Sequence, residues 1–159
     1  MKLRTFVPAV AAFAATAASA SIPPAYEKFL PREQRAGSIT YLTGGATHEE
    51  ANALKRAAQE YPLELVFMER DGRTDKYLSD MPVRITDANG KVVFEGQARG
   101  PYFLARLPRG RYTVSTRWDA WSFQRHVSIG RDRQRVVFKW SKPGAVITSS
   151  APAPAKAGA

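Results

Sequence analysis

The sequence predicts a mainly β protein, an antiparallel β-sandwich with one α-helix near its N-terminus. Three observations carry this. Between residues 38 and 140, short runs of alternating apolar and polar residues recur, separated by turn residues. Asn89-Gly90 sits between two such runs and is the strongest short hairpin signal in the chain. Leu107-Pro108-Arg109-Gly110-Arg111-Tyr112-Thr113-Val114 reads as strand, tight turn, strand, because Pro108 offers no N–H to a ladder and Gly110 supplies a permissive backbone position. About seven strands are expected.

The chain has 159 residues, a net charge of +10 and no cysteine. One domain of ordinary size fits that length. Disulfides, thiolate metal sites, a cysteine nucleophile and lipid attachment at an N-terminal cysteine are excluded. The core must therefore rest on apolar packing, for which the chain carries 3 Trp, 6 Tyr and 8 Phe.

Residues 1–20 read as a secretory signal, with Lys2 and Arg4 ahead of an apolar run and Ala18-Ser19-Ala20 as a small-x-small cleavage site. The run is shorter than the roughly 20 apolar residues of a spanning helix. The expected location is the periplasm, with a secreted product as the other outcome. Residues 21–37, with Pro23, Pro24 and Pro31, read as an arm or linker tacked down by Tyr26, Phe29 and Leu30. Ile39, Tyr41 and Thr43 then share one side of a short strand that Gly44-Gly45 ends. Thr47-His48-Glu49-Glu50 has the spacing of a capping box and predicts a helix over 47–61. Ala51, Leu54, Ala58 and Tyr61 fall on its one apolar face, and Pro62 stops it.

Leu63 to Glu69 is a strong strand and Arg70 to Arg73 a turn, with Lys76 to Ser79 as a loop or edge strand. Val83 and Ile85 alternate with Arg84 and Thr86, and Val92 and Phe94 lie on the return strand of the Asn89-Gly90 hairpin. Residues 101–107 with 111–118, and 121–129 with 134–140, read as two further hairpins. Residues 141–159, rich in Ala and Pro, read as a disordered tail. The domain is thus expected over 38–140.

The segment from Met81 to Trp140 resembles the carboxypeptidase regulatory-like domains, relatives of the transthyretin (prealbumin-like) sandwich. The likeness lies in Met81-Pro82-Val83-Arg84-Ile85-Thr86-Asp87, Asn89-Gly90, Gly96, Tyr102-Phe103 and the Leu107 to Val114 run. Residues 38–79 resemble the N-terminal part of small proteobacterial periplasmic proteins that carry this domain. The resemblance implies a non-catalytic module, although such modules are usually attached to a larger protein. The helix before the sandwich departs from the family pattern.

No nucleophile elbow, zinc-protease helix or phosphate loop is present, and no cofactor or metal is expected. His48 reads as part of a solvated first helical turn, and His126 as an exposed strand residue. Gly44-Gly45 before a helix could cradle an anion, but turn geometry explains it equally well. Charge is more informative. Residues 21–90 carry nine Lys/Arg against eleven acids, whereas residues 91–142 carry twelve against three. Alternation puts Arg111 and Arg117 outward on one strand, and Arg135 and Lys139 outward on another. If those strands are neighbours, one basic patch results, with Trp118, Trp121 and Phe123 at the adjoining turn for stacking. Such a patch suits phosphate or carboxylate.

The favoured reading is a non-enzymatic envelope module that contacts a protein or an anionic envelope polymer or lipid headgroup through that face; nucleic acid is a poor partner for an exported chain. The competing reading is a small hydrolase or carbohydrate-active protein using Glu64 with Glu69, or Glu49 with Glu50. The odd spacing of Glu64 and Glu69 places them on opposite faces of a strand, against that reading. A third is an accessory chain that adds a strand at an open edge, for instance near Tyr77-Leu78.

Overall fold

A computed structural model describes residues 24–141. The expected signal and all of the expected tail but Ser141 lie outside the described residues. Among these residues, ten strands form two sheets that pack face to face. The strands are β1 (Gln34–Ala36), β2 (Ile39–Gly44), β3 (Leu63–Asp71), β4 (Thr74–Tyr77), β5 (Met81–Asp87), β6 (Val92–Ala98), β7 (Tyr102–Arg106), β8 (Gly110–Trp118), β9 (Trp121–Ile129) and β10 (Gln134–Ser141). The larger sheet runs β1-β2-β7-β3-β10, with β4 beside the second half of β3; the four-stranded sheet runs β6-β5-β8-β9. The expected β-sandwich forms, but with ten strands among the described residues where about seven were expected, because the short β1 and β4 carry no apolar alternation to mark them, and with one parallel pair, β3 and β10, in a sandwich expected to be antiparallel throughout.

Apolar side chains fill the space between the sheets. Leu63, Leu65 and Phe67 of β3, Phe103 of β7, and Phe138 and Trp140 of β10 meet Val83, Ile85, Phe94, Val114 and Val127 from the four-stranded sheet. The other face of the larger sheet is covered by α2 (His48–Ala57), which continues as a single 3₁₀ turn, Ala58–Glu60. Leu54, Ala57, Ala58 and Tyr61 pack there on Leu42, Val66, Tyr102 and Leu104. The molecule is therefore layered helix, sheet, sheet, and only the outer face of the four-stranded sheet has no layer upon it among the described residues.

The capping box forms in part. Thr47 Oγ1 accepts from the Glu50 amide at 3.2 Å. The Glu50 carboxylate does not return to the Thr47 amide; it accepts instead from the amides of Gly45 (2.9 Å) and Ala46 (3.1 Å). The described part of the expected arm 21–37, residues 24–37, holds α1 (Pro24–Glu27) and strand β1. The segment is pinned by the Arg56 guanidinium, 4.1 Å from the Tyr26 ring centre, and by Leu30 against the helix-side core.

The hairpin expectations divide. β5 and β6 pair around Asn89-Gly90, with Gly90 at φ +80° and the Asp87 carboxylate accepting from the Asn89 and Lys91 amides. The other two hairpins do not form. β7 lies in the larger sheet and β8 in the smaller, so Leu107-Pro108-Arg109 carries the chain across the sandwich. The motif there has a clear job. Leu107 plugs the core, and the Tyr112 hydroxyl reaches back to donate to the Pro108 carbonyl at 2.9 Å. Such a bond locks the corner between layers. Likewise β9 and β10 belong to different sheets. β9 pairs antiparallel with β8 through the two-residue turn Asp119-Ala120, with Asp119 at φ +53°. β10 runs parallel to β3, from Gln134 beside Leu63 to Ser141 beside Arg70.

Candidate binding surface

These crossings divide the anticipated basic patch. Arg111 and Arg117 lie on β8, in the four-stranded sheet, whereas Arg135 and Lys139 lie on β10, in the other. The condition for a single patch, that the two strands be neighbours, is not met.

On β10 the cations are engaged within the protein. Arg135 Nε lies 3.3 Å from Glu64 Oε1, and Arg133 Nη1 lies 3.3 Å from Glu64 Oε2. Glu64 is only 3% exposed, because it sits on β3 between β7 and β10, beside the helix-side core. Its Oε2 makes no hydrogen bond within the described residues, so Arg133 holds it by charge rather than by an aligned N–H. Lys139 Nζ donates to Asp75 at 2.9 Å, and Arg70 pairs with the same carboxylate. These two cations hold the Asp75 carboxyl below the usual aspartate range, Arg70 by the larger share. Glu64 and Glu69 are an odd number of residues apart on β3, and Glu64 is the one buried carboxylate among the described residues.

The Trp pair is also set apart from the arginines. Trp118 and Trp121 face each other across the Asp119-Ala120 turn. They share the side of the hairpin that carries Thr116 and Phe123 toward the core, opposite to Arg117. Trp118 packs on that core, Phe123 lies edge-on to Trp140 at 5.2 Å, and Trp121 stands 57% exposed. The Gly44-Gly45 cradle is already filled, since the Glu50 carboxylate occupies its amides.

What the fold assembles instead is the outer face of the four-stranded sheet. Alternation along β8 turns Arg111, Thr113, Ser115 and Arg117 outward. The register sets Ser128, His126, Gln124 and Ser122 of β9 directly opposite them in that order. On the other side, Arg84 of β5 stands beside Ser115 and Thr86 beside Thr113. The Thr113 hydroxyl and His126 Nδ1 are 3.0 Å apart. His126 is exposed, as the alternation predicts. Two shallow clefts open on this face. One, of about 310 Å³, is bordered by Arg84, Glu95, Ser115, Arg117 and Gln124; the other, of about 400 Å³, by Asp87, Arg111, Thr113, His126 and Ser128. Among the described residues, Arg84, Arg111 and Arg117 take part in no ion pair.

Arg84 and the Ser/Gln row of β9 were not singled out by sequence. The alternation around Val83 and Ile85 already turned Arg84 outward. The missing fact was that β5 lies beside β8, a pairing no local signal encodes.

Comparison with known proteins adds distant likenesses. No family model matches the chain, and no curated protein matches it. Among solved structures, GBS52, a minor pilin of Streptococcus agalactiae, is 16% identical with a TM-score of 0.41, over 58% of this chain and 47% of that one. S.CueP is 14% identical with a TM-score of 0.36, over 50% of this chain and 59% of that one. A 5-hydroxyisourate hydrolase of Klebsiella pneumoniae is 18% identical with a TM-score of 0.39, over 51% of this chain and 91% of that one. The chain thus spans about half the length of the pilin and less than two thirds of S.CueP. No residue, ligand or activity transfers at such similarity.

Among the described residues, no helix is long and apolar enough to cross a membrane.

Proposed function

We propose that this chain is a non-enzymatic binding module of the cell envelope, exported to the periplasm and akin to the carboxypeptidase regulatory-like domains. It engages an anionic partner through the outer face of its four-stranded sheet. One observation carries the reading: Arg84, Arg111 and Arg117 share this face, take part in no ion pair among the described residues although Arg84 stands opposite Glu95 in the ladder, and border two clefts. Guanidinium forks in that setting are free to take carboxylate or phosphate bidentately. By contrast, Arg135 and Lys139 already neutralise Glu64 and Asp75. They belong to the scaffold, not to the binding surface.

The test is retention of the protein on isolated envelope material at low and high salt. Binding should weaken as salt screens the face. The double charge reversal Arg111→Glu/Arg117→Glu should abolish it, while Arg111→Lys/Arg117→Lys should keep part of it. Retention that is indifferent to salt and to the charge reversal overturns the reading.

A further inference from the structure

We infer that the anionic partner is an acidic polysaccharide, lying along β8 with its charged groups on Arg117 and Arg111. This deepens the reading above and rests on it. Arg111 and Arg117 are six residues apart on one strand, which sets their Cα atoms about 20 Å apart. A single phosphate or carboxylate cannot reach both, so the face is matched to an extended ligand carrying several charges. The two clefts bear this out in shape, one beside Arg117 and the other beside Arg111 along the same strand.

The chemistry between the arginines decides the class. Thr113 and Ser115 of β8 face His126 and Gln124 of β9. Each offers a hydroxyl, imidazole or amide that can both donate and accept, and no apolar side chain interrupts these two rows. Of the apolar residues that line the clefts, Val83, Tyr112 and Val127 are buried in the core and Phe123 is half-buried, which leaves Pro82 and Ala88 exposed, one at each cleft, too small a foothold for a lipid surface or a peptide anchor. A peptide added as a strand would need an open backbone, yet β8 is paired on both sides by β5 and β9. A polysaccharide needs neither: its hydroxyls meet the polar rows and its acidic groups meet the guanidinium heads.

The experiment uses three probes by titration against the full chain: polygalacturonate, polyglutamate and neutral dextran. The second set of proteins is Thr113→Val/Ser115→Ala/Gln124→Leu, which removes hydroxyls and amide but no charge, and Arg111→Glu/Arg117→Glu. Polygalacturonate should bind in a salt-sensitive way, at least tenfold tighter than polyglutamate, with dextran not binding. The neutral triple variant should lose about tenfold for polygalacturonate and nothing for polyglutamate. If polyglutamate binds as tightly, or the triple variant keeps full affinity for polygalacturonate, the polysaccharide assignment is overturned. The same holds if neither polyanion binds while envelope retention stays sensitive to salt and to charge reversal; the anionic-partner reading then survives alone. That wider reading falls only with envelope retention itself.

Discussion

The Glu64 site makes an asymmetric prediction. A carboxylate whose side chain is 4% exposed faces two guanidinium groups whose side chains are 31% (Arg133) and 50% (Arg135) exposed. At 3.3 Å and an effective dielectric constant near 20, each contact has a Coulomb term of about 5 kcal/mol. Removing a carboxylate from water costs several kcal/mol, so the intact triad nets little. The three groups fare differently when partners are lost. Arg133 and Arg135 lie close enough to water to be rehydrated; Glu64 does not. The double variant Arg133→Ala/Arg135→Ala therefore strands a buried charge, at about 3–5 kcal/mol. Glu64→Leu instead frees two arginines into solvent and sets an apolar group beside Leu104, and should stay within about 1 kcal/mol of the parent.

Urea unfolding reads this directly. With a slope of about 1.5 kcal/mol/M, the double arginine variant should lose about 2–3 M in midpoint, while Glu64→Leu should barely move. Adding Glu64→Leu to the double variant should recover most of the loss, because the stranded charge is gone. If Glu64→Leu costs as much as the arginine pair, or the combination recovers nothing, the stabilising role lies in packing and the electrostatic account fails.

Leu54 is fully buried between α2 and the larger sheet, so Leu54→Ala should cost about 2–5 kcal/mol in chemical denaturation; a loss under 1 kcal/mol would mean the helix contributes little to the fold. Tyr112→Phe removes the hydroxyl that donates to the Pro108 carbonyl and should cost about 1 kcal/mol, with an unchanged midpoint showing that the corner holds without it. Asp75 carries a depressed pKa through Arg70 and Lys139. Its contribution to stability is therefore fully present above the ordinary aspartate value of about 3.9 and is lost as pH falls through the lower folded value. The stability gap between parent and Asp75→Asn should be flat near neutrality and close in acid, whereas a gap that persists at the lowest pH would contradict the assignment.

Much of the fold was legible because its signals are local. The alternation of Val83 and Ile85, the Asn89-Gly90 turn and the Thr47 cap each act within a few residues, and each appears as its chemistry requires. What was not legible is which sheet a strand joins. Leu107-Pro108-Arg109 and Gly130 to Arg133 have the length and composition of hairpin turns, yet both cross the sandwich. The choice is made by contacts distant in sequence: β10 finds β3, about seventy residues earlier, because Phe138 and Trp140 stack on Phe67 and complete the core. The site inherits that blind spot. Outward residues on β8 and β10 could be named strand by strand, but their division between two faces depended on pairing. A parallel pair joined through such a long connection leaves no local mark.

The two groups of cations can be told apart by stability alone. Arg111 and Arg117 take part in no ion pair among the described residues and lie in solvent. Exposed substitutions of that kind shift stability by at most about 0.5 kcal/mol each. Arg111→Glu/Arg117→Glu should therefore melt like the parent, even as it loses envelope binding. Arg135→Glu is different in kind, although its side chain is half exposed. It would set a second carboxylate against Glu64, which is buried away from water, and leave Arg133 alone to hold both. The expected cost is about 3 kcal/mol. Comparing the two charge reversals by thermal and urea unfolding separates cations that hold the fold from cations left over for a ligand. Equal losses would mean that the β8 arginines are structural as well, and would remove the ground for assigning the binding surface to their sheet.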